Sequence, residues 1–528
     1  MSTASTQTVA TKKLTFIGAG SIGFTRTLLR DLMCVPELRT RFEIAFTDID
    51  ARNLDMVRQL CQRDLDHNGV PVTIQATTDR RAAIANADYV FCVVRIGGLE
   101  AFATDVDIPL AYGVDQCVGD TLCAGGIMYG QRGIAAILGF CKDIREVAKP
   151  GCRLFNYANP MVMLTWAANV FGKVPTVGLC HGVQGGHHQI ADCTTHWARK
   201  QGLIGAEETV AKQDVDIICA GINHQTWYVK ATWRGIDLIP KMLELFEGHP
   251  QFPTTEKVRI DMLRRFGNYS TESNGHLSEY VAWYRKRPEE IQRWIDTGCW
   301  INGETGGYLR VCTEGRNWFE TEFPEWLAQP PKSFDGKERS EEHGSYIIEG
   351  LETGQVYRGH FNVINGTTIT NLPPDAIVEV PGYVDRNGVN IPSVGDLPMG
   401  CAAVCNQSIS VQRLSVHAAV TGDDQLLRQA FLMDPLVGAV CNPPEIWQMV
   451  DEMLVAGKTW LPQYELAIAA AQARLAGGKA IATKTGYAGA ARIHTKTIDE
   501  MRADKVQSQK NAEATDKAKE RPAAAAAH

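Results

Sequence analysis

Cysteine and histidine side chains that follow short apolar runs are the first residues that could do chemistry. Cys180 follows the run Thr176–Leu179, and His224 lies two residues beyond the run Val215–Ile222. A thiolate and an imidazole at two strand ends facing one cleft would bind a metal and leave coordination positions open for substrate oxygens and water. On spacing alone, however, a single cysteine or histidine is more often a core residue.

A glycine-rich turn is the second feature that could do chemistry. The sequence Gly18-Ala-Gly20-Ser-Ile-Gly23 follows the apolar run LTFIGA, residues 14–19, and precedes a stretch with helical spacing. In a GxGxxG turn the first glycine allows a tight bend, the second lets a pyrophosphate approach the backbone, and the third lets helix and strand pack closely. The pattern predicts a dinucleotide site at the helix N-terminus, formed by Gly18, Gly20, Ser21, Ile22 and Gly23.

The acid expected at the end of the second strand of a dinucleotide fold is present as Asp48, within FTDID. Its carboxylate could bind a ribose 2′-hydroxyl, which favours NAD over NADP. Asp50 is the weaker candidate because it lies past the strand end. Gly97, in the Ile-Gly-Gly that follows the third apolar run, offers a second close approach of backbone to cofactor, although an ordinary turn explains it equally well.

Short apolar runs separated by helical stretches must position these groups. Alternating strand and helix predicts a parallel sheet with helices on both faces. The predicted fold class is therefore α/β, with a Rossmann-type doubly wound parallel sheet over residues 12–180. The runs expected to form its strands are 14–19, 42–47, 89–94, 153–157 and 176–179.

Beyond residue 180 the pattern predicts a mixed α+β domain, residues 181–475, in an architecture like that of lactate and malate dehydrogenases. A β-rich patch at 359–392 contains a hairpin turn at Asp385–Gly388. The stretch 476–528 is rich in alanine, lysine and glutamine and is expected to be a solvated, partly helical extension. Further strands are expected at Val215–Ile222 and Trp227–Lys230, and helices at 239–247, 257–266, 276–285 and 402–475.

Composition excludes several classes of protein. The 528 residues carry 53 Lys+Arg against 60 Asp+Glu, a net charge of −7, so neither nucleic acid nor an anionic membrane is an expected partner. The polar N-terminus lacks the apolar segment of a signal peptide, and no apolar run of about 18 residues occurs. The chain is expected to be soluble and cytoplasmic, with most of its 15 cysteines reduced and buried.

Several longer motifs, taken together, carry a family resemblance. In their order along the chain they make it resemble glycoside hydrolase family 4, the NAD- and metal-dependent glycosidases, over roughly residues 12–460, and within it the melibiose-hydrolysing α-galactosidase type. The motifs are GDTLCAGGIM (119–128), Asn159-Pro160 in NYANPM, CHGVQG from Cys180, GINH (221–224), TESNGHLSEY (271–280) and NLPPDAIVEVPGYVDRNGV (371–389).

One position departs from the galactosidase type. That type has a serine after the Cys-His pair, whereas this sequence has Gly182. The Cys-His-Gly form is similar to family members that act on α-glucosides or α-glucuronides. The Cys-Asp and Cys-Asn forms typical of the phospho-glycosidases are absent, so a 6-phosphosugar is not expected.

The resemblance implies a function and two cofactors. NAD⁺ would take a hydride from carbon 3 of the sugar; the carbon 2 proton and the aglycone would then leave, and water would add before the hydride returns. A divalent metal, usually Mn²⁺, would bind at Cys180 and His224. The implied substrates are melibiose-like α-galactosides, with α-glucosides, α-glucuronides or α-galacturonides as the alternative.

The resemblance also suggests residues for proton transfer. His181 is the candidate for protonating the leaving group, because phospho-glucosidase relatives have an aspartate at this position; a hydrogen-bonded supporting role is an equal alternative. The base could be Glu272, which is slightly preferred, or Tyr269 or Tyr280.

Other polar residues are candidates for substrate contact. Asn159 is expected to orient a sugar hydroxyl or the nicotinamide, and Asp120 and His276 are further candidate sugar contacts, although Asp120 could equally cap a helix. His187 and His188 would face different directions on the following helix, so one of them could reach the cleft.

Two other classes of function compete with this hypothesis. One is a 2-hydroxy-acid dehydrogenase, which shares the N-terminal fold but is usually much shorter and uses a catalytic His with a partner Asp. The other is a non-catalytic NAD-sensing module. The expected partners are a small-molecule α-glycoside and further copies of the chain in a dimer or tetramer.

Overall fold

A computed structural model describes residues 11–484 and 486–519 of the chain, with side chains up to residue 510. The strands in this part of the chain form one 12-stranded sheet. They are β1 (Lys12–Ile17), β2 (Phe42–Thr47), β3 (Gln75–Thr77), β4 (Tyr89–Cys92), β5 (Arg153–Asn156), β6 (Thr176–Gly178), β7 (Val215–Ile222), β8 (Gln225–Trp233), β9 (Ile236–Asp237), β10 (Tyr357–Ile364), β11 (Ile377–Asp385) and β12 (Gly388–Asn390).

Helices cover both faces of this sheet and extend beyond it. In chain order they are α1 (Ile22–Met33), α2 (Ala51–His67), α3 (Arg80–Ile84), α4 (Gly98–Ala111), α5 (Cys123–Val147), α6 (Met161–Trp166), α7 (Gly182–Lys200), α8 (Met242–Glu247), α9 (Phe252–Thr255), α10 (Lys257–Phe266), α11 (Asn274–Glu279), α12 (Pro288–Trp294), α13 (Gly307–Ala328), α14 (His343–Thr353), α15 (Met399–Thr421), α16 (Asp424–Met433), α17 (Pro435–Val440), α18 (Pro443–Ala456), α19 (Glu465–Leu475) and α20 (Ile498–Lys519).

The first six strands are parallel and lie in the order β3-β2-β1-β4-β5-β6. This is the order of a doubly wound dinucleotide fold. All four residues of β4 and five of the six in β1 are buried, because helices cover both faces of a parallel sheet. The predicted α/β class with a Rossmann-type sheet is confirmed.

The sheet continues past β6 with antiparallel strands from the second half of the chain. β10 pairs with β6 through Asn362 and Gly178, and β11 pairs with β7 through Glu379 and Gly221. The remaining order is β10-β11-β7-β8-β9, with β12 beside β11. The sheet is therefore unbroken across the boundary predicted at residue 180, and two late strands separate β6 from β7.

Local expectations beyond residue 180 differ from the structure in a few places. The helix expected over 276–285 is shorter, because α11 ends at Glu279 and bends follow it. The long helix α13 and the helix α14 were not expected from the sequence. β7 and α10 have the predicted bounds.

The segment 476–497 contacts the body of the protein instead of extending into solvent as predicted. The Lys484 N–H donates to the Ala111 carbonyl at 2.7 Å, and the Ala490 N–H donates to the buried Asp115 carboxylate at 2.9 Å. α20 follows and packs along α13. The last part of the predicted extension, 520–528, and residues 1–10 lie outside the described residues.

Two further features concern membrane-spanning helices and the cysteines. Among the described residues, no helix is both long and apolar enough to cross a membrane. The 15 cysteines are all unpaired thiols, and most of them are buried, as the sequence predicts.

Candidate active site

The carboxyl ends of the parallel strands open into one cavity of about 510 Å³. Ligands of open α/β sheets bind at this edge, where the strand order reverses. The cavity brings together residues that are far apart in the sequence. Those predicted above are Ser21, Asp120, Asn159, Cys180, His181, His224, Glu272 and His276.

Cys180, His224 and Glu272 form a compact set of metal-binding groups at the floor of the cavity. The Cys180 Sγ lies 3.4 Å from His224 Nε2, and Glu272 Oε2 lies 3.4 Å from the same nitrogen. One ligand atom from each residue lies within 4.8 Å of the other two. A thiolate, an imidazole and a carboxylate at this spacing suit a divalent transition metal and leave positions open for substrate.

The hydrogen bonds of His224 fix which of its nitrogens can bind a metal. The Thr121 hydroxyl donates to Asp120 Oδ1 at 3.0 Å and lies 2.9 Å from His224 Nδ1. A hydroxyl has one proton, so Thr121 must accept from His224 Nδ1–H, and Nε2 keeps its lone pair. Burial lowers the pKa of His224, which favours the neutral ring that a metal requires. His224 Nε2, which carries no proton, points toward Cys180 and Glu272.

His224 reaches this position from a strained turn. It lies between β7 and β8 with φ of +50°, a left-handed conformation that residues other than glycine rarely adopt. Such backbone strain costs on the order of 1–3 kcal/mol and tends to occur at functional sites. The turn aims the imidazole into the cavity.

Two contacts hold one carboxylate oxygen of Glu272, and the other oxygen faces His224. The backbone N–H of Ser273 donates to Oε1 at 2.8 Å, and His276 Nδ1 lies 3.1 Å from the same oxygen. Burial alone would raise the pKa of the Glu272 carboxyl, but the protonated His276 and the Ser273 N–H outweigh it and keep that pKa below its usual range. Burial would lower the pKa of His276, and the Glu272 carboxylate instead raises it to about 9. Glu272 is therefore an ionised ligand candidate.

His181 lies at the mouth of the cavity with its side chain 66% exposed. Its Nδ1 is 3.3 Å from Glu342 Oε1, just before α14. The hydrogen bond to Glu342 raises the pKa of His181. The residue can therefore present a proton to a group that leaves through the mouth.

On one wall of the cavity, Asp120 and Asn159 form a polar pair. The Asn159 amide donates to Asp120 Oδ2 at 3.0 Å, and the Arg95 guanidinium lies 3.7 Å from the same oxygen. Arg95 also lies over the rings of Tyr129 and Tyr308, at 5.1 and 5.3 Å from their centroids. Asp120 and Asn159 thus offer a sugar both an acceptor and a donor.

Sequence reasoning missed several residues of this wall. Arg95 directly follows the apolar run 89–94, and its place just past a strand was a usable signal. Thr121 stood inside the motif GDTLCAGGIM and could have been noticed there. Tyr308 comes from α13, far along the chain, and nothing local in the sequence marks it.

The nucleotide end of the cavity begins at the glycine turn between β1 and α1. Gly18 has φ of +89°, and the Gly20 N–H donates to Asp48 Oδ2 at 2.9 Å, so the predicted acid lies beside the predicted turn. Asp50 instead caps α2 by accepting from two backbone N–H groups. Gly97, with φ of +88°, is the N-cap of α4, which follows β4.

The packing role predicted for Gly23 is wrong. A methyl group added there would meet nothing within 4 Å, because Gly23 lies on the exposed face of the first turn of α1. The open space at Gly23 leaves room for an approaching ligand, but Gly23 does not pack between helix and strand.

The structure keeps two of the candidate bases out of the cavity. Tyr269 is fully buried behind it, stacks on Phe246 and donates to Gln189 Oε1 at 3.0 Å. Tyr280 is also fully buried, and its hydroxyl lies 3.3 Å from His224 Nδ1. Tyr269 is therefore withdrawn as a base, and Tyr280 supports a ligand.

The two histidines of α7 do not reach the cavity either. His187 Nε2 lies 2.8 Å from the Val215 carbonyl, and His188 Nε2 lies 3.1 Å from Glu341. Neither residue is part of the cavity lining. His187 contacts the start of β7, and His188 contacts a residue just before α14, so neither faces the cavity.

A second group of residues of metal-binding types, Asp192, His196 and His249, lies outside the cavity lining, with Asp192 exposed and His249 buried. His249 Nδ1 accepts from the N–H groups of Gln251 and Phe252 at 3.2 and 3.3 Å. Its Nε2 must then carry the proton that it donates to Asp192. Neither ring nitrogen of His249 therefore has a free lone pair for a metal, unlike His224 Nε2 in the cavity.

The sequence as a whole agrees with the geometry of the cavity. Residues 13–196 match the profile of the family described as "Family 4 glycosyl hydrolase", and residues 219–437 match the profile of that family's C-terminal domain. This chain is a family 4 glycosyl hydrolase. The resemblance found in the motifs is confirmed, and the dehydrogenase alternative is excluded.

Two curated relatives of this family 4 chain have the same name. It is 56% identical over 498 residues to an alpha-galactosidase of Rhizobium meliloti (strain 1021), a match that covers 94% of this chain and 98% of the relative. It is 33% identical over 466 residues to an alpha-galactosidase of Bacillus subtilis (strain 168), covering 86% and 100%.

Among solved structures, this family 4 fold matches a 6-phospho-beta glucosidase from Thermotoga maritima that was solved with manganese, NAD⁺ and glucose-6-phosphate. The TM-score is 0.65 at 20% identity, and the match covers 85% of this chain and 99% of the other. At this identity the match establishes the shared fold.

Proposed function

We propose that this family 4 member hydrolyses α-galactosides with the help of NAD⁺ and a divalent metal such as Mn²⁺. The observation that carries the proposal is that one cavity is lined both by Ser21 of the glycine turn and by the set Cys180, His224 and Glu272. The relatives named alpha-galactosidase match 94% and 86% of this chain. The manganese and NAD⁺ in the structurally similar Thermotoga maritima glucosidase support the same pair of cofactors.

The charges of the cavity support a neutral sugar. Among its described lining residues, each cationic side chain already has an acidic neighbour, so a uronic acid or a phosphosugar would meet no uncommitted cation. The pairs are Arg95 with Asp120, Arg259 with Glu256, His181 with Glu342, and His276 with Glu272.

The bound cofactors would supply a hydride acceptor and a Lewis acid for a sugar carbonyl and its enediolate. Cys180, His224 and Glu272 would hold the metal through one atom each. One Glu272 oxygen is held by Ser273 and His276, and the other faces His224. We therefore assign Glu272 to metal binding and not to proton removal. Asp120 and Asn159 would orient sugar hydroxyls.

We assign His181 to the leaving group. It lies at the mouth of the cavity, where an aglycone would extend, and Glu342 keeps a proton on it. An imidazolium with a carboxylate partner is a common general acid. Asp48 and the turn Gly18–Gly23, with Gly97, would bind the dinucleotide.

The experiment is a hydrolysis assay on p-nitrophenyl α-galactoside with NAD⁺, Mn²⁺ and a reductant. We expect nitrophenol release without net accumulation of NADH, and no release after EDTA dialysis and removal of nucleotide. The α-glucoside, α-glucuronide and α-galacturonide are assayed in parallel, and faster release from one of them would replace galactose as the sugar. Full activity of the stripped enzyme would overturn the cofactor assignment.

We also infer that the protein works in the cytoplasm. A free thiol that must act as a ligand, together with the other unpaired cysteines, suits a reducing compartment. The dimer or tetramer expected from the resemblance stays a prediction, which light scattering on the purified protein can test.

A further inference from the structure

A buried carboxyl group lies in the sheet behind the proposed metal site. Glu379 on β11 is 1% exposed and faces Asn362 on β10 and Gly221 on β7. β11 is therefore one of the two late strands that separate β6, which leads to Cys180, from β7, which leads to His224. The site itself does not use Glu379, so its place between the two strands needs another explanation.

The hydrogen bonds of Glu379 extend in both directions. On one side, Oε1 accepts from the Asn362 amide at 3.2 Å, and that amide also donates to the Gly178 carbonyl at 3.3 Å. Gly178 lies two residues before Cys180. This chain of contacts ties the carboxyl to the strand that ends at the thiol.

On the other side, Oε2 is bonded to the Thr226 hydroxyl, which lies 2.9 Å from the Ile222 carbonyl. Ile222 and Thr226 lie two residues before and two residues after His224. The same carboxyl is thus tied to both strands of the turn that carries the imidazole. Cys180 therefore lies two residues from Gly178, and His224 lies two residues from both Ile222 and Thr226. These three residues are the ones that the hydrogen bonds of Glu379 reach.

The Thr226 hydroxyl has one proton to share between these two contacts. A carbonyl can only accept, so both contacts are satisfied when Thr226 donates to Ile222 and the Glu379 carboxyl donates to Thr226. Burial raises the pKa of Glu379 to about 7, which agrees with a protonated group. A neutral carboxyl also avoids a further buried charge beside the thiolate and the Glu272 carboxylate.

Asn223 adds a third link. Its side chain lies beside both the Cys180 thiol and the Glu379 carboxyl, and it is buried next to His224. An amide N–H group beside a ligand thiolate would help to hold the sulfur in place. The link joins the two ligands and the carboxyl in one network.

We propose that Glu379 is a positioning residue that sets the separation of Cys180 and His224 by hydrogen bonds to both strands, without touching metal or sugar. The proposal rests on the metal site of the proposed function. Because the group acts as a neutral donor and acceptor, an amide of the same shape should replace it.

The test measures Co²⁺ binding to the whole protein by calorimetry, together with the near-ultraviolet thiolate-to-cobalt charge-transfer band. We expect Glu379→Ala to weaken Co²⁺ affinity by about 10- to 100-fold, the usual effect of losing a group that supports a ligand. Glu379→Gln should stay within about twofold of the wild type in affinity and keep the band. NAD⁺ affinity should not change in either variant.

Thr226→Val supplies a second, milder variant that breaks only the link to the His224 turn. Its Co²⁺ affinity should fall while the band, which reports the thiolate, persists. Asp451→Ala is the control, since Asp451 is also a buried carboxyl with two bonded partners, Arg428 and Arg474, far from the site. It should lower the melting temperature without affecting Co²⁺.

Three results would overturn the proposal. Wild-type affinity in Glu379→Ala would show that the carboxyl positions nothing. Equal losses in Glu379→Ala and Glu379→Gln would show that its negative charge matters, not its hydrogen bonds. A wild type that binds no Co²⁺ would remove the metal site and the proposed function with it, whereas the first two results leave that function intact.

Discussion

The two ends of the cavity are built in different ways. At the metal end, His224 and Glu272 are buried, and hydrogen bonds already fix the imidazole tautomer and the carboxylate. At the nucleotide end, Gly23 is exposed, Asp48 is half-buried and Ile49 is fully exposed. A metal requires aimed lone pairs, whereas a pyrophosphate requires free backbone N–H groups and room. The first end is therefore fixed by side chains and the second by the backbone.

The largest expected effect is that of Cys180→Ser at the metal end. A hydroxyl is a far weaker ligand than a thiolate, and loss of several kcal/mol of metal assistance corresponds to roughly a 10³-fold lower kcat. Metal affinity by calorimetry and turnover should both collapse, while NAD⁺ affinity stays the same. Cys193→Ser, at a buried cysteine of α7, is the control and should affect stability only. Undiminished metal binding by the folded Cys180→Ser protein would remove Cys180 from the site.

At the nucleotide end, Asp48→Ala should weaken NAD⁺ binding by about 10- to 150-fold. Charge-assisted hydrogen bonds to the ribose, worth about 1.5–3 kcal/mol, are lost. Asp50→Ala is the matched control, because Asp50 caps α2 and its loss should cost about 1 kcal/mol of stability without changing NAD⁺ affinity. Fluorescence titration with NADH and thermal unfolding of both variants measure the two effects. If the two variants exchanged effects, Asp50 would be the ribose ligand.

Thr121→Val should weaken metal binding by about tenfold, the lower end of the range for residues that support a ligand. The valine cannot accept the His224 Nδ1 proton, but the Tyr280 hydroxyl remains 3.3 Å away and can accept it in part. Thr121→Ser keeps the hydroxyl and should bind metal like the wild type. A calorimetric titration compares the three proteins. Equal affinity in the valine variant would mean that the tautomer is not set by Thr121.

The smallest effect is expected for Gly23→Ala. The added methyl group meets open space, and alanine is favoured over glycine in a helix by up to about 1 kcal/mol, so stability should stay level or rise slightly. Gly20→Ala should behave differently, because its methyl carbon would lie 2.9 Å from Asp48 Oδ2 and would displace that carboxylate. Melting temperatures and NAD⁺ affinities of the pair separate the two roles. A large loss of stability in Gly23→Ala would restore the packing role.

The sequence was informative where chemistry depends on local pattern. The turn Gly18–Gly23 and the strands β2 and β7 follow from short apolar runs and glycine spacing, which reflect nearest-neighbour constraints. The position of Cys180 just after β6, and of His224 in a hairpin turn, follows from the same runs. The position of each of these residues depends on where one strand ends, which the sequence can indicate.

The sequence was uninformative where function depends on distant pairing. Tyr269 and Glu272 lie three residues apart beside β8, yet only Glu272 faces the cavity, and nothing in the composition of that segment indicates which side faces inward. Tyr308 joins the cavity from a helix that the sequence did not reveal. The insertion of β10 and β11 between β6 and β7 is a matter of topology that apolar runs cannot encode.

That insertion has a consequence for biosynthesis. The chain leaves the ribosome N-terminus first, so β1 to β6 can pair while later residues are still being made. The sheet between the strands that carry Cys180 and His224, however, is complete only when β10 (Tyr357–Ile364) and β11 (Ile377–Asp385) have emerged. We expect the newborn protein to acquire its nucleotide pocket early and its metal pocket late, which binding measurements on shortened chains can check. The slow closure of distant strands would thus delay metal loading until most of the polypeptide exists.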